Sequence, residues 1–307
     1  MGTPAFACPI LDALLARSDP VVGVVTQPDR PRGRGLAVAA PEVKTLAERH
    51  GLPVLQPEKV KDPAFETALR AFTPDLIVVA AYGRILPRAI LELPARGCIN
   101  VHASLLPRHR GAAPITWAIL AGDHTTGVTT MHMAEEMDAG DILLQRATPI
   151  GPEETGGELT ARLATLGAEL IGETIDALRA GTLRPRAQAD ADVTYAPRID
   201  QQQRRIDWNR PAEELARLVR ALSPAPTAFT TLGPRRLKIY RARPSDTRPS
   251  AAAAGSVVAG GGGSLVVAAG RGALELLEVQ LEGRRRLAAA EFLAGHPVAA
   301  GTCLGRA

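Results

Sequence analysis

Cysteine is scarce in this chain: Cys8, Cys98 and Cys303 are the only three among 307 residues. They are far apart and odd in number, and none belongs to a CxxC or Cys/His cluster. Neither a disulfide framework nor a structural zinc site is supported, and a reducing cytosol is the simplest compartment. Long apolar runs are missing as well. None reaches the roughly 18 residues that a membrane-spanning helix needs. The first residues lack the basic-then-apolar order of a secretory signal. A cytoplasmic chain with no membrane partner is the expectation. No internal repeat is evident. The four glycines at 260–263 lack the strand–G-x-G-x-x-G–helix setting of a nucleotide loop and read as a hairpin turn.

What is present is a chain with 46% hydrophobic residues. That suffices for one large domain or two smaller ones. The formal net charge of +4 is unevenly spread. Residues 191–307 carry 17 Lys+Arg against 10 Asp+Glu, a net of +7, and the first 190 residues are left at −3. A basic C-terminal third on a slightly acidic body suits a polyanionic partner; the alternative is a surface of solvated arginines.

Along the first 150 residues, short apolar runs alternate with helical patterns. "PVVGVVT" (20–26), "LPVLQP", "PDLIVVAAYG" (74–83) and "CINVHAS" read as strands. "APEVKTLAERHG" (40–51), "PAFETALRAFTP" (63–74) and "RAILELP" read as helices, punctuated by proline and glycine. This order predicts an α/β fold with a doubly wound, mostly parallel sheet. "TGVTTMHMA" and "GDILLQRATPI" are two further strands around the turn-like "EEMDAG", and a long helix covers 156–181. Residues 184–205 are polar and proline-bearing and read as a linker. After Trp208 come one helix and several short strands separated by glycine turns, the pattern of a small β-barrel. The expected organisation is a catalytic domain at 1–183, a linker at 184–205 and a barrel domain at 206–307. Residues 244–255 read as a surface loop.

The opening of the chain is unusual for such a sheet. Met1 is followed at once by "GTPAFACPILDALLA", a turn and then a helix, with no apolar strand to feed the turn. The expectation is a sheet whose first strand is missing, from a chain that is truncated or that starts downstream of its real start. A strand removed from the middle of a sheet leaves its neighbours' N–H and C=O groups without partners.

Asn100 and His102 alternate on one strand and so share a face. At the carboxyl end of a parallel strand, that face opens into the crevice where doubly wound folds bind ligands. An amide can donate to a developing oxyanion, and an imidazole can hold or pass a proton near neutral pH. Asp138, in "MDAGD", is the natural third member, since a carboxylate can orient an imidazole or help take a proton. The set suits acyl transfer to an amine through a tetrahedral intermediate. No Ser or Cys is placed as a nucleophile, so direct transfer without an acyl-enzyme is expected. The bland alternative is that Asn100 and His102 merely cap a strand end. His109, His124 and His132 read as surface or strand residues, Trp117 as core, and no metal is assigned. The arginines of "GRRR" (283–286) read as solvated.

"INVHASLLPRHRGAAPITWAI", together with "GVTTMHMAEEMDAGDIL", resembles the formyltransferases that use 10-formyltetrahydrofolate. It has N-x-H, then S-L-L-P-x-x-R-G, then an Asp before a small residue and Gly about thirty-five residues on. The resemblance extends from "GTPAFA" to the final barrel. It implies a Rossmann-like formyltransferase domain followed by an OB-like barrel. It also implies that Asn100 and His102 stabilise the tetrahedral intermediate and handle its protons, and that Asp138 positions them and favours the neutral amine. Ser104, Leu105, Leu106 and Pro107 would contact the tetrahydrofolate, which enters as the 10-formyl co-substrate.

Within that family, "TQPDRPRGRG" (26–35), "AYGRILP" (81–87) and "RRIDWNRPAEELARLVRAL" with its basic barrel resemble the members that formylate methionyl initiator tRNA. Arg30, Arg32 and Arg34 would then form the loop that meets the tRNA acceptor arm, and the enzyme would be a monomer. After "GRG" this chain has no lysine until Lys44, where some relatives carry lysines directly. Alternatives are a formyltransferase for a small amine, such as a nucleotide-linked amino sugar or glycinamide ribonucleotide, and an inactive, truncated protein that binds RNA or folate.

Overall fold

Apolar runs bounded by proline and glycine become short strands. A computed structural model describes residues 1–32, 37–247, 252–261 and 263–305. The backbone divides into two compact units. One comprises Met1–Pro114, Thr125–Pro149 and Thr160–Pro197; the other comprises Ile115–His124, Ile150–Leu159 and Arg198–Ala307.

The strands of the first unit are β1 (Val24–Val25), β2 (Arg30–Arg32), β3 (Ala37–Ala39), β4 (Val54–Leu55), β5 (Ile77–Val79), β6 (Cys98–His102), β7 (Thr125–His132) and β8 (Ile142–Pro149). The helices from the same part of the chain are α1 (Cys8–Leu15), α2 (Glu42–Arg49), α3 (Pro63–Arg70), α4 (Arg88–Leu91), α5 (Pro114–Ala121) and α6 (Gly156–Arg179). Local signals explain several boundaries. Asp62 caps α3 by accepting from the Ala64 N–H, with Pro63 in the first turn. Thr155 and Glu158 form a reciprocal capping box at the start of α6. β5 is shorter than the apolar run 74–83 because Ala81 and Gly83 take positive φ, 47° and 75°, and turn the chain away.

β5 and β6 pair in parallel, and β6, β7 and β8 continue the sheet antiparallel. All five residues of β6 are buried, as a strand covered on both faces requires. β1 and β4 form a separate parallel pair, and β2 and β3 a separate hairpin. Between β1 and β5 the sheet is interrupted. Met1 and Gly2 bridge the two pieces through backbone hydrogen bonds, at the carboxyl ends of the strands. Residues 184–197, linker-like in composition, run along this unit. Arg186 exchanges backbone hydrogen bonds with Ile142, and Ala196 does so with Arg110 and Ala113.

The second unit contains α7 (Ala212–Ala221), β9 (Ala228–Leu232), β10 (Arg235–Ser245), β11 (Val257–Ala259), β12 (Leu265–Ala268), β13 (Ala273–Leu281), β14 (Leu287–Ala288) and α8 (Ala289–Gly295). The antiparallel order is β11-β12-β13-β10-β9, with β14 on β13. Bridges from Leu304 to Leu232 and from Cys303 to Ser256 tie the two ends of that order to one segment. α7 buries Leu215 and Val219 against Leu237, Ile239 and Leu274. The arginines of the 283–286 turn are not all solvated, because Arg286 lies over the Tyr240 ring at 4.1 Å and pairs with Glu278. Trp117, expected in the core, is only half-buried.

Candidate active site

β6 sets the geometry. Asn100 sits opposite Val79 on one side and Met131 on the other, and His102 sits opposite Thr129. The two-residue period places both side chains on one face, and both are buried, at 9% and 6% exposure. Asp138 arrives from the loop joining β7 and β8, at φ 53°. Gly140 holds that loop tight: a Cβ there would lie 1.9 Å from the His132 carbonyl oxygen, so no side chain fits.

Asp138 is held at both of its oxygens. Oδ2 accepts from the Gly111 N–H at 2.8 Å and lies 3.6 Å from His102 Nδ1. Oδ1 is 3.4 Å from the Asn100 amide nitrogen, which donates to it. The other ring nitrogen of His102, Nε2, is 2.9 Å from the His109 carbonyl. A carbonyl can only accept, so Nε2 carries a hydrogen, and the lone pair of the neutral ring sits on Nδ1, facing the carboxylate. A proton placed between Nδ1 and Asp138 therefore meets two acceptors. His109 itself is not a surface residue, as expected, but is buried at φ 61°. Its carbonyl meets His102 while its N–H donates to Thr194 Oγ1 at 2.8 Å.

The S-L-L-P segment splits in two. Ser104 is fully buried and donates to the Arg108 carbonyl at 2.6 Å. Leu106 packs with Met131 and Ile142. Leu105 and Pro107 keep partial exposure. Thr129 organises the turn: its hydroxyl donates to the Ser104 carbonyl at 2.7 Å and accepts from the Leu106 N–H at 3.1 Å. Gln145, directly across the ladder, donates to the Leu106 carbonyl at 2.8 Å.

Gln188, absent from the motif reading, and Arg110, the arginine of S-L-L-P-x-x-R-G, support the Asp138 loop. Gln188 donates to the carbonyls of Asp138 and Gly140, each at 2.8 Å, and accepts from Arg110 Nε at 3.0 Å. Arg110 is buried. Gln188 comes from the stretch whose composition suggests a linker, so nothing in spacing marks it. Thr129 and Gln145 could have been found by pairing the two strands of the β7–β8 hairpin.

The arginine segment is built differently. Arg30 and Arg32 lie on β2, paired with β3. The exposed Arg30 guanidinium is 3.7 Å from Glu58. Arg34 lies outside the described residues, as do 248–251 in the expected loop at 244–255 and Gly262 in the expected turn at 260–263. At the foot of the hairpin, Lys44 and Gln56 both donate to Asp29, at 2.8 and 2.6 Å, and hold its carboxyl below the usual range, Lys44 foremost. Lys44 is thus committed to an internal ion pair.

The chemistry follows from which groups are free to act. Burial pushes the Cys98 thiol and the Tyr82 hydroxyl each up to about 12, so neither is an anionic nucleophile at neutral pH. Ser104 is turned inward. What remains at the end of β6 is an amide donor, an imidazole and a carboxylate. That set can polarise a carbonyl and move a proton while an external amine attacks. Among the described residues, no group of three His, Cys, Asp or Glu side chains could hold a metal ion. No described helix is long and apolar enough to cross a membrane.

Comparison with known proteins agrees with this chemistry. Residues 1–175 match the formyl transferase family, and residues 198–297 match the formyl transferase C-terminal domain. The methionyl-tRNA formyltransferase of Trichlorobacter lovleyi is 50% identical over 304 residues, covering 99% of this chain and 95% of that protein. Two solved structures share the fold at lower identity. The N-formyltransferase from Helicobacter canadensis, in complex with folinic acid and dTDP-3-aminofucose, is 17% identical with a TM-score of 0.66, over 90% of this chain and 96% of that one. HypX from Aquifex aeolicus, in complex with tetrahydrofolic acid, is 22% identical with a TM-score of 0.61. The match covers 81% of this chain but 43% of HypX, so this chain spans less than half of that protein. Matched at both segments, and half identical to a relative along nearly its whole length, the chain belongs to the formyl transferase family.

Proposed function

We propose that this protein transfers the formyl group of 10-formyltetrahydrofolate to the amino group of methionine on initiator tRNA, for translation initiation. The observation that carries the reading is the relative of that name, 50% identical across 99% of this chain. The geometry at the end of β6 suits it. The formyl donor is a substrate here, and the protein's part is to position it and the amine. The neutral amine attacks the formyl carbon. The Asn100 amide, and His102 in its protonated form, stabilise the oxygen as it gains charge. The proton shed by the amine passes by way of Nδ1 of His102 and Asp138 to the folate nitrogen, which leaves with it. Carbon and proton balance without a covalent enzyme intermediate, in keeping with the buried, inward-turned hydroxyl of Ser104 at the end of β6. Positioning the amine against the formyl carbon and preorganised donors supply the rate.

Leu105 and Pro107, the partly exposed members of S-L-L-P, form the folate-side wall, with Ser104 and Leu106 shaping it from behind. Arg30, Arg32 and Arg34 meet tRNA phosphates. The enzyme works in the cytoplasm as a monomer. A formyl-transfer assay with labelled folate and methionyl-tRNA tests the reading. Loss of tRNA formylation together with transfer to a nucleotide-linked amino sugar would replace it with the small-amine alternative. Transfer to tRNA should also weaken steeply with salt, as phosphate contact requires.

A further inference from the structure

His102 stands between two acceptors, and only one of them is bonded to it. The His109 carbonyl lies 2.9 Å from Nε2, within hydrogen-bond reach. The Asp138 carboxylate lies 3.6 Å from Nδ1, beyond that reach. A neutral imidazole has one ring hydrogen, and the better-placed acceptor keeps it. A carboxylate is the stronger acceptor of the two. The hydrogen stays on Nε2 because the carbonyl is near and the carboxylate is not. The position of one backbone oxygen therefore decides which nitrogen of His102 keeps a lone pair.

That oxygen is held by an unfavourable backbone. His109 has φ 61°, a left-handed conformation that residues with a Cβ rarely adopt. Thr194 holds it from both sides. The Thr194 hydroxyl accepts from the His109 N–H at 2.8 Å, and the Thr194 carbonyl accepts from the Arg110 N–H, also at 2.8 Å. The Arg110 N–H belongs to the same peptide plane as the His109 carbonyl. In a trans peptide the N–H and the C=O point in opposite directions. Anchoring that N–H on Thr194 therefore aims that carbonyl at His102. The Ala196 N–H donates to the Arg110 carbonyl at 2.7 Å and keeps the two stretches in register. Thr194 is exposed and lies 85 residues from His109. It acts on the ring through the His109–Arg110 peptide.

We propose that Thr194 is the positioning residue that selects the tautomer of His102. By fixing the His109–Arg110 peptide it keeps the ring hydrogen on Nε2. Nδ1 is left with a lone pair, which takes the proton shed by the attacking amine. The catalytic half of this rests on the formyl-transfer reading; the tautomer half does not. Without the Thr194 hydroxyl, the His109 N–H loses its acceptor and the left-handed backbone relaxes. The carbonyl then turns from Nε2, and the ring hydrogen settles on Nδ1, beside Asp138. The nitrogen needed as proton acceptor is then already occupied.

Nitrogen-15 NMR of the imidazole rings reads this directly, with the His102 signal identified by its loss in His102→Gln. In the unaltered chain the neutral His102 ring should carry its hydrogen on Nε2. Thr194→Ser keeps the hydroxyl and should match it, with kcat for formyl transfer within about twofold. Thr194→Val keeps the shape and the backbone carbonyl but not the hydroxyl. It should move the ring hydrogen to Nδ1 and lower kcat about tenfold, with KM for both substrates unchanged. Adding Asp138→Asn to the valine variant should send the hydrogen back to Nε2, because no carboxylate then draws it; a hydrogen that stays on Nδ1 would overturn the proposed competition. An unchanged His102 signal in Thr194→Val would overturn the proposal whatever the rate. A serine variant as impaired as the valine one would do so too, since it would make Thr194 a packing residue. The ring signal is recorded without substrates, so it judges the tautomer independently of which amine accepts the formyl group. A moved hydrogen with full kcat would overturn the catalytic half.

Discussion

The end of β6 and the β2–β3 hairpin hold functional groups in opposite ways. Asn100, His102 and Asp138 are each fixed by neighbours at hydrogen-bond or near hydrogen-bond distance, and Gln188 and Gly111 brace the loop that carries Asp138. Arg30 stands on an exposed two-stranded ribbon, and its ion pair with Glu58 is long. An exposed pair of that kind contributes little to stability. The contrast matches the proposed work. Charge growing on a formyl oxygen must meet donors that are already in place. A phosphate backbone carries charge along its whole length, and cations can meet it from many positions.

The contrast breaks most sharply at the β6 residues. Asn100→Ala or His102→Ala should lower the single-turnover rate of formyl transfer by about 100-fold or more, with circular dichroism unchanged. A full single-turnover rate in either variant would remove these residues from the mechanism. Gln188→Ala comes next. It should cost about tenfold in kcat, with KM for both substrates held, as loss of a bracing contact to a catalytic loop predicts. Gln188→Glu should be worse than alanine, because a carboxylate would face the Asp138 and Gly140 carbonyls. Equal effects of the two would reduce Gln188 to a packing residue.

At the hairpin the effect should be smaller and of another kind. Arg30→Ala should raise KM for tRNA a few-fold and lower the slope of log affinity against log salt by about 1, with kcat nearly unchanged. A fall in kcat at saturating tRNA would place Arg30 in the chemistry and erase the distinction between the two regions.

The last effect concerns pH and bears on stability and not on rate. Burial lowers the Met1 ammonium from 8.0 to about 6, and the facing Cys98 thiol, near 12, stays neutral throughout. Between those two values the unfolded chain binds the proton and the folded chain does not. Stability is full above pH 8, falls as pH drops towards 6, and levels off below, by about 2 to 3 kcal/mol at most. Comparing melting at pH 8 and pH 6 with and without an amide at the Met1 nitrogen isolates this group from His132, which burial also pushes down. An unchanged pH dependence would show that the amine is not buried in solution.

Much of the site is legible because strands obey a two-residue period. That period puts Asn100 and His102 on one face, and the following S-L-L-P turn shows where the strand ends. Asp138 is legible from its place in a glycine-bearing turn. The support is not. Gln188 reaches Asp138 across 50 residues, from a segment whose polarity is what an exposed tether would also have. His109 looks like any loop histidine until its backbone is seen facing His102. β9 follows Pro224 and Pro226, which hide it among turn signals. Arg286 shows its contact with Tyr240 only once β10 and β13 are paired.

The bridges at Cys303 and Leu304 also set a schedule. Leu232 and Ser256 are made early in the second unit, but their partners come about seventy and fifty residues later. At a synthesis rate of about 5–20 residues per second, the edges at β9 and before β11 stay open for several seconds of translation. During that interval they are available to other nascent chains. A stall or stop codon just short of Cys303 would leave the second unit with all of its strands and both of those edges unguarded, a form more prone to aggregation than one that is merely unstable.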